Sequence, residues 1–279
     1  MELKEKLQAL LELEGFPCRF MEPMSSHTTF RIGGPAAAYV CPSGETELKT
    51  VLSFCRREKL PFFILGNGSN LLVSDAGYEG VVISTTEGLT RLEAEGERIF
   101  ASGIPGTIGG ALVMNAGAYG SEIKDVLEYA RVMTPEGEIL TLGPKELKLD
   151  YRTSCIPAMG YTVLDACFRL KKGNRDEIEA YMNELSLKRR EKQPLQYPSA
   201  GSTFKRPKGH FAARLIEDAG LKGFTVGGAQ VSQKHSGFVI NRGDATAADV
   251  MELCRQIRER VKTQFDVELE MEVKTLGKF

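Results

Sequence analysis

The stretch from Ile99 to Ser121 carries no charge, and it holds six glycines, at 103, 106, 109, 110, 117 and 120. A run of that length could cross a bilayer. Pro105, Asn115 and the glycines dilute it, however, and strongly apolar side chains are few. The Gly106–Gly110 spacing is therefore not read as a membrane-helix contact. Glycine at this density costs backbone entropy if packing is its only purpose. The expectation is a buried loop whose backbone presses against a large, flat, partly apolar ligand, with Thr107 and Asn115 as polar contacts. A tight crossing between sheets is the alternative.

A second glycine loop, Gly66-Asn67-Gly68-Ser69-Asn70, lies between two short apolar strands. Its N–H groups and the side chains of Ser69 and Asn70 suit oxyanions. Leu71 stands where a dinucleotide fingerprint would have its third glycine, and a strand is expected to follow in place of a helix. Nothing in the chain matches a Walker A loop, so Rossmann and P-loop sites are both excluded. Such a loop alone is more often a hairpin turn. The two loops together point to a bulky, phosphate-bearing cofactor.

The rest of the composition narrows the class. Thirty-six Lys and Arg against 37 Asp and Glu leave a net charge of −1, so the chain does not hold nucleic acid by bulk charge. With 42% apolar and 26% charged residues it is neither disordered nor a coiled coil. Its 279 residues suffice for one or two domains with a sizeable core. The cysteines at 18, 41, 55, 155, 167 and 254 form no CxxC pair, and His27, His210 and His235 are scattered. Zinc, iron–sulfur and thioredoxin-like chemistry have no support, no metal site is expected, and free thiols in a reducing cytoplasm are. The N-terminus, with Leu3, Leu7, Leu10 and Leu11 on one face, reads as an amphipathic helix stopped at Gly15, not as a signal peptide.

Along the chain, residues 28–41 read as extended segments and 45–58 as a helix with Leu48, Val51, Leu52 and Cys55 in register. Strands are expected at 61–65, 71–74, 81–84, 128–133, 138–142 and 162–170. A helix over 175–190 carries Ile178, Tyr181, Met182 and Leu185 on one face, with Asn174 and Glu177 at capping-box spacing. It runs into KRREKQPLQYPS, whose charges and two prolines mark a domain boundary; the basic cluster itself reads as a solvated helix end. Two strand-like segments, AQVS and GFVIN, precede a helix over 247–264. At the C-terminus Val267, Leu269, Met271 and Val273 alternate with Glu268, Glu270, Glu272 and Lys274, as in a half-buried strand. The class is α+β.

Taken in order, TFRIGG, GNGSNLLVSDAGYEGVVI, GIPGTIGG…MNAGAYG, YRTS, PSAGSTFKRP and LEMEVKTLG resemble the UDP-N-acetylenolpyruvoylglucosamine reductase family, in its shorter form, over nearly the whole chain. The resemblance implies an FAD-binding region of the vanillyl-alcohol-oxidase type over 1–193, with subdomains of about 1–85 and 86–193, and a substrate-binding domain over 194–279. It implies non-covalent FAD held by Gly66, Asn67, Gly68, Ser69 and Asn70. On the second loop it implies Gly103, Ile104, Pro105, Gly106, Thr107 and Gly110, followed by Asn115, Ala116 and Gly117. NADPH is the implied hydride donor, UDP-N-acetylglucosamine enolpyruvate the substrate, and a cytoplasmic monomer without nucleic-acid or membrane partners the form.

By motif, Arg152 in YRTS matches the family's active-site arginine, Ser202 in AGSTFK its proton donor and Glu272 in MEVK its C-terminal glutamate. The residue types suit the chemistry. A developing enolate beside a carboxylate needs a fixed planar cation, and a carbanion needs a nearby proton. Tyr151, Lys205, Gln230, Lys234 and His235 are further candidates for substrate contacts. Without the family motif, Glu272 is indistinguishable from Glu268 and Glu270 on the same strand face.

One departure stands out. The family carries a further stretch, including a helix, where Phe100 here runs directly into Ala101. The motifs on both sides are intact and loss of a packed helix would expose apolar surface. The favoured reading is that two pieces are joined across residues missing from the sequence. A chain that truly lacked them would have weakened flavin binding, and a non-catalytic sugar-nucleotide-binding remnant would then be an alternative. A related FAD-dependent sugar or alcohol oxidase is the other.

Overall fold

The computed structural model describes Glu5, Gln8 and residues 17–86 and 106–279. The expected N-terminal helix, the Phe100–Ala101 junction and Gly103, Ile104 and Pro105 lie outside the described residues.

Strands β1 (Cys18–Pro23) and β2 (Pro35–Val40) lead into helix α1 (Glu45–Arg57), then β3 (Phe62–Leu65), β4 (Leu71–Val73) and β5 (Tyr78–Ser84). Beyond residue 106 come helix α2 (Ile108–Val113) and the strands β6 (Gly117–Ala118), β7 (Ser121–Glu122), β8 (Leu127–Met133), β9 (Ile139–Leu142) and β10 (Thr162–Phe168). Helices α3 (Arg175–Lys192) and α4 (Ala212–Asp218) follow. The strands β11 (Thr225–Val226), β12 (Ala229–Val231) and β13 (Val239–Asn241) then precede α5 (Ala247–Phe265) and β14 (Lys274–Leu276). The chain divides into two compact units, one of 1–21, 37–67 and 80–172, the other of 22–36, 68–79 and 173–279.

The first unit has two cores. Leu48, Val51, Leu52 and Cys55 recur at helical spacing on α1 and pack on Ala38, Val40, Val81 and Ile83 of a sheet ordered β1-β2-β5-β3. Glu45 and Glu47 in its first turn and Arg56 and Arg57 in its last oppose the helix dipole favourably. The other core joins Leu112 of α2 to Leu127, Ala130 and Val132 of β8 and to Ala166 and Phe168 of β10. There β8 is central in the antiparallel order β10-β8-β9. Tyr119 (φ +53°) and Gly120 (φ +87°) close the β6–β7 hairpin as a two-residue turn with positive φ at both positions.

In the second unit, α5 buries Val250, Leu253, Cys254, Ile257 and Val261 against Ala229, Val231 and Val239 of the antiparallel sheet β11-β12-β13. Its N-terminus is closed twice. Thr246 and Asp249 form a capping box, with Oγ1 accepting from Asp249 N and Oδ2 from Thr246 N, each at 3.0 Å. The Asp75 carboxylate accepts from Ala247 N (2.8 Å) and Ala248 N (3.0 Å), so a residue of the SDAG segment caps a helix far along the chain.

Three expectations need amendment. The GNGSN loop is not a hairpin: β3 pairs in parallel with β5, whereas β4 pairs in parallel with β14. Helix α3 forms where expected, capped by the Asn174 side chain, but it buries none of its residues, and Tyr181 and Met182 are each 53% exposed. Its N-cap and the i,i+4 pairs Arg175–Glu179 and Glu184–Lys188 support it, not an apolar face. Residues 267–270 alternate in burial as expected, but Met271 and Glu272 are both half-buried, and among the described residues the one ladder contact of 267–273 is the Phe204–Met271 bridge. The six thiols are free, and burial pushes those of Cys55 and Cys254 up to about 12, which leaves them unreactive.

Candidate active site

In the first unit the two glycine loops meet. A Cβ on Gly66 would lie 2.3 Å from Thr107 Oγ1, a distance only a hydrogen can occupy. Thr107 is the N-cap of α2, its Oγ1 accepting from Gly110 N at 3.2 Å. Gly109 and Gly110, after Ile108, leave two successive positions of that helix's first turn without side chains, and a Cβ at either would meet nothing closer than 3.4 Å. Bare backbone of this kind admits a flat ligand at van der Waals distance, which is the fit an isoalloxazine-bearing cofactor requires.

After α2, Asn115 takes a left-handed backbone (φ +42°) and is wholly buried. Its Nδ2 donates to Glu122 Oε2 (3.0 Å) and to the Asp150 carbonyl (3.1 Å), while Oδ1 accepts from Lys124 N (3.0 Å). The side chain expected to touch cofactor thus spends both its hydrogens on the protein. Arg152 sits in a tight turn in which Asp150 and Thr153 exchange backbone hydrogen bonds of 3.2 and 3.1 Å. Its φ is +52°, its Nη2 donates to Gly117 O (3.0 Å), and its guanidinium lies 5.5 Å from the ring centroid of Tyr151. Tyr151 itself is largely exposed. Ser154 Oγ, on the far side of the turn, donates to Val113 O at 2.7 Å.

The second unit holds the other candidates. Gly68 has φ +59°, and a Cβ there would lie 2.1 Å from His27 O. Asn70 Nδ2 donates to Glu272 O (3.1 Å), and Lys274 N donates to Asn70 O (3.1 Å), so the end of the GNGSN loop is stitched to both sides of Val273. On the opposite edge Glu272 N donates to Thr203 O and Lys205 N to Glu270 O, both at 2.9 Å. Antiparallel pairing of 203–205 with 270–272 therefore sets Ser202, exposed beside the left-handed Gly201, next to the segment that carries Glu272. Thr203 is buried and anchors this segment, its N donating to Gly237 O and its Oγ1 accepting from Val239 N.

Among the acidic residues of that segment the structure makes a distinction the sequence does not. The side chains of Glu268 and Glu270 are 80% and 72% exposed, whereas Glu272 is half-buried and held on both flanks. Lys205 pairs with Glu270. Gln230 Nε2 donates to Gly223 O and Thr225 Oγ1, each at 3.1 Å, which leaves its carbonyl oxygen for a ligand. His235 Nδ1 accepts from Gly237 N (3.1 Å), so the neutral ring carries its proton on Nε2. Burial is the main cause holding its pKa below the ordinary value. Lys234 Nζ donates to Arg190 O at 2.5 Å. Among the described residues no three His, Cys, Asp or Glu side chains group as metal ligands, and no helix is long and apolar enough to cross a membrane.

Sequence reasoning missed three of these arrangements: the Asp75 cap on α5, the Asn70–Glu272 bond and the Asn115 clamp. All join positions distant in sequence, and no local pattern announces them.

Comparison with known proteins agrees with both halves. A family model described as the C-terminal domain of UDP-N-acetylenolpyruvoylglucosamine reductase matches residues 193–276, and one described as an FAD binding domain matches 36–99 and 97–143. The proteins named UDP-N-acetylenolpyruvoylglucosamine reductase in Lachnoclostridium phytofermentans and Clostridium kluyveri are 48% and 45% identical to this chain. Each alignment covers 98% of this chain and 96% of the relative. The crystal structure of the reductase of that name from Thermus caldophilus superposes with a TM-score of 0.76 and 34% identity, covering 94% of this chain and 99% of that one. The two alignments run to 301 and 296 positions against a chain of 279 residues, so the relatives carry residues that this one lacks. The FAD-binding match breaks beside Phe100. The expected fold class holds as an α+β protein with an FAD-binding region ahead of the reductase C-terminal domain.

Proposed function

The chain belongs to the UDP-N-acetylenolpyruvoylglucosamine reductase family, and from that membership we propose which of its residues carry the family's reaction. The protein is an FAD- and NADPH-dependent oxidoreductase, a UDP-N-acetylmuramate dehydrogenase. It reduces the enolpyruvyl group of UDP-N-acetylglucosamine enolpyruvate in peptidoglycan precursor synthesis. Relatives bearing this name at 45% and 48% identity favour it over a sugar or alcohol oxidase and over a non-catalytic remnant.

In the proposed division of labour, residues 1–193 bind FAD and 194–279 the substrate. The segments 66–70 and 103–110, with the main chain of 115–117, hold the cofactor non-covalently. The Gly66–Thr107 approach and the bare turn at Gly109 and Gly110 support that assignment. When bound, FAD supplies a ring that carries hydride from NADPH to the terminal carbon of the enolpyruvyl group.

The remaining chemistry falls to side chains. Arg152 balances the negative charge that develops on the enolate and its carboxylate, using planar donors that stay protonated. Ser202 gives its hydroxyl proton to the carbon bearing that carboxylate, and Lys205 stabilises the serine oxygen until solvent restores the proton. Glu272 orients the carboxylate. Tyr151, Gln230, Lys234 and His235 contact the rest of the substrate. The observation carrying this reading is the pairing of 203–205 with 270–272, which brings a serine and a half-buried glutamate to one edge. Since a nucleoside-diphosphate sugar and NADPH are the substrates, the cytoplasm is the proposed location, and a monomer the proposed form.

The test is simple. Purified protein is expected to bind FAD, turn yellow, and oxidise NADPH rapidly only when the enolpyruvyl sugar nucleotide is present. A protein that takes up no FAD contradicts the proposal.

A further inference from the structure

Both flanks of the turn that bears Arg152 are tied to the segment leaving α2. On one side Asn115 Nδ2 donates to Asp150 O, and on the other Ser154 Oγ donates to Val113 O. Arg152 itself adds a bond to Gly117 O. Asn115 and Arg152 both have left-handed backbones, a state Asn adopts readily but Arg keeps only where its surroundings hold it. Around Asn115 the holding is dense. Lys124 N donates to its Oδ1, and Glu122, which accepts from its Nδ2, is also paired with Lys124 Nζ at 2.8 Å.

We propose that Asn115 is a positioning residue for Arg152, not a flavin contact through its side chain. Its two hydrogens, one on Glu122 and one on the Asp150 carbonyl, lock the turn to the β6–β7 hairpin. The guanidinium is then aimed by the same segment that carries the glycine-rich loop. The proposal rests on the assignment of Arg152 to the enolpyruvyl half-reaction.

The experiment is a double-mutant cycle followed by stopped flow, with the reductive half-reaction (NADPH) and the oxidative half-reaction (enolpyruvyl substrate) measured separately. Asn115→Asp keeps the shape and tolerates the left-handed backbone but removes the donor facing Asp150 O. It is expected to slow the oxidative half-reaction by roughly 10- to 100-fold, as a misplaced catalytic group does, while FAD content and reduction by NADPH stay near wild type. Placed in an Arg152→Ala background, the same change is expected to alter the rate by less than about twofold, because nothing remains for it to position. Equal slowing in both backgrounds overturns the proposal, as does loss of FAD with normal oxidative rates on reconstitution. If Arg152→Ala alone leaves the oxidative rate unchanged, the reading of Arg152 fails and the proposal falls with it. Should Asn115→Asp not fold, Ser154→Ala removes the tether on the opposite flank. The same background-dependent slowing is expected there, and additive behaviour contradicts it.

Discussion

The carbonyl oxygen of Glu272 accepts a hydrogen bond from the side-chain amide of Asn70 at 3.1 Å, across 202 residues of sequence. One residue thus belongs both to the loop proposed to hold FAD and to the support of the glutamate proposed to face the substrate. Asn70→Ala should cost about 1 kcal/mol of stability through the lost bond to Glu272. It should also slow the oxidative half-reaction more than reduction by NADPH. Urea denaturation and single-turnover reoxidation read the two effects, and an unchanged oxidative rate would separate Asn70 from Glu272.

Gly66→Ala should abolish or greatly weaken FAD binding, because its Cβ would fall 2.3 Å from Thr107 Oγ1. Gly44 is the control: it precedes α1 with extended backbone, and a Cβ there would meet nothing within 4 Å. Gly44→Ala should therefore retain FAD. Flavin absorbance after gel filtration distinguishes the two, and equal retention would contradict the cradle.

The doubly closed N-terminus of α5 gives a stability test. Asp75→Ala should destabilise the protein by about 1–2 kcal/mol, the cost of losing a helix cap. Hydrogen bonds, first from Thr246 N–H and then from the Thr246 hydroxyl and Gly228 N–H, hold the Asp249 carboxyl below its ordinary value of 3.8. Its folded pKa is lower than its unfolded one, so the unfolded chain takes up the proton first. The contribution is therefore complete above pH 3.8 and lost as pH falls through the folded value. Asp249→Asn should flatten the acid limb of the stability curve below pH 3.8, read from urea titrations at a series of pH values on both sides of it. An identical limb would contradict the cap.

How much of this was legible follows from the range of each interaction. Helix α1 and strands β3, β5, β8 and β10 declare themselves through local apolar spacing, and they form where that spacing puts them. The α3 face misleads because periodicity reports an apolar side, not the presence of anything to cover it. The GNGSN turn misleads in the opposite way. Its flanking strands look like a hairpin until Lys274 and Leu71 are found in register, a pairing no local window can contain. Glu272 could be picked out only by motif, whereas in the folded chain its burial sets it apart from Glu268 and Glu270. Asn115 is legible as a polar residue in a glycine-rich loop, but its partners Glu122 and Asp150 lie too far along the chain for any local pattern to name them.

The central claim, that Ser202 supplies the proton, is tested most directly by stopped-flow comparison of wild type with Ser202→Ala in the two half-reactions. The account predicts flavin reduction by NADPH close to wild type and reoxidation by the enolpyruvyl substrate slower by roughly 10²- to 10⁴-fold, the usual worth of a positioned proton donor. Reoxidation at the wild-type rate would contradict it.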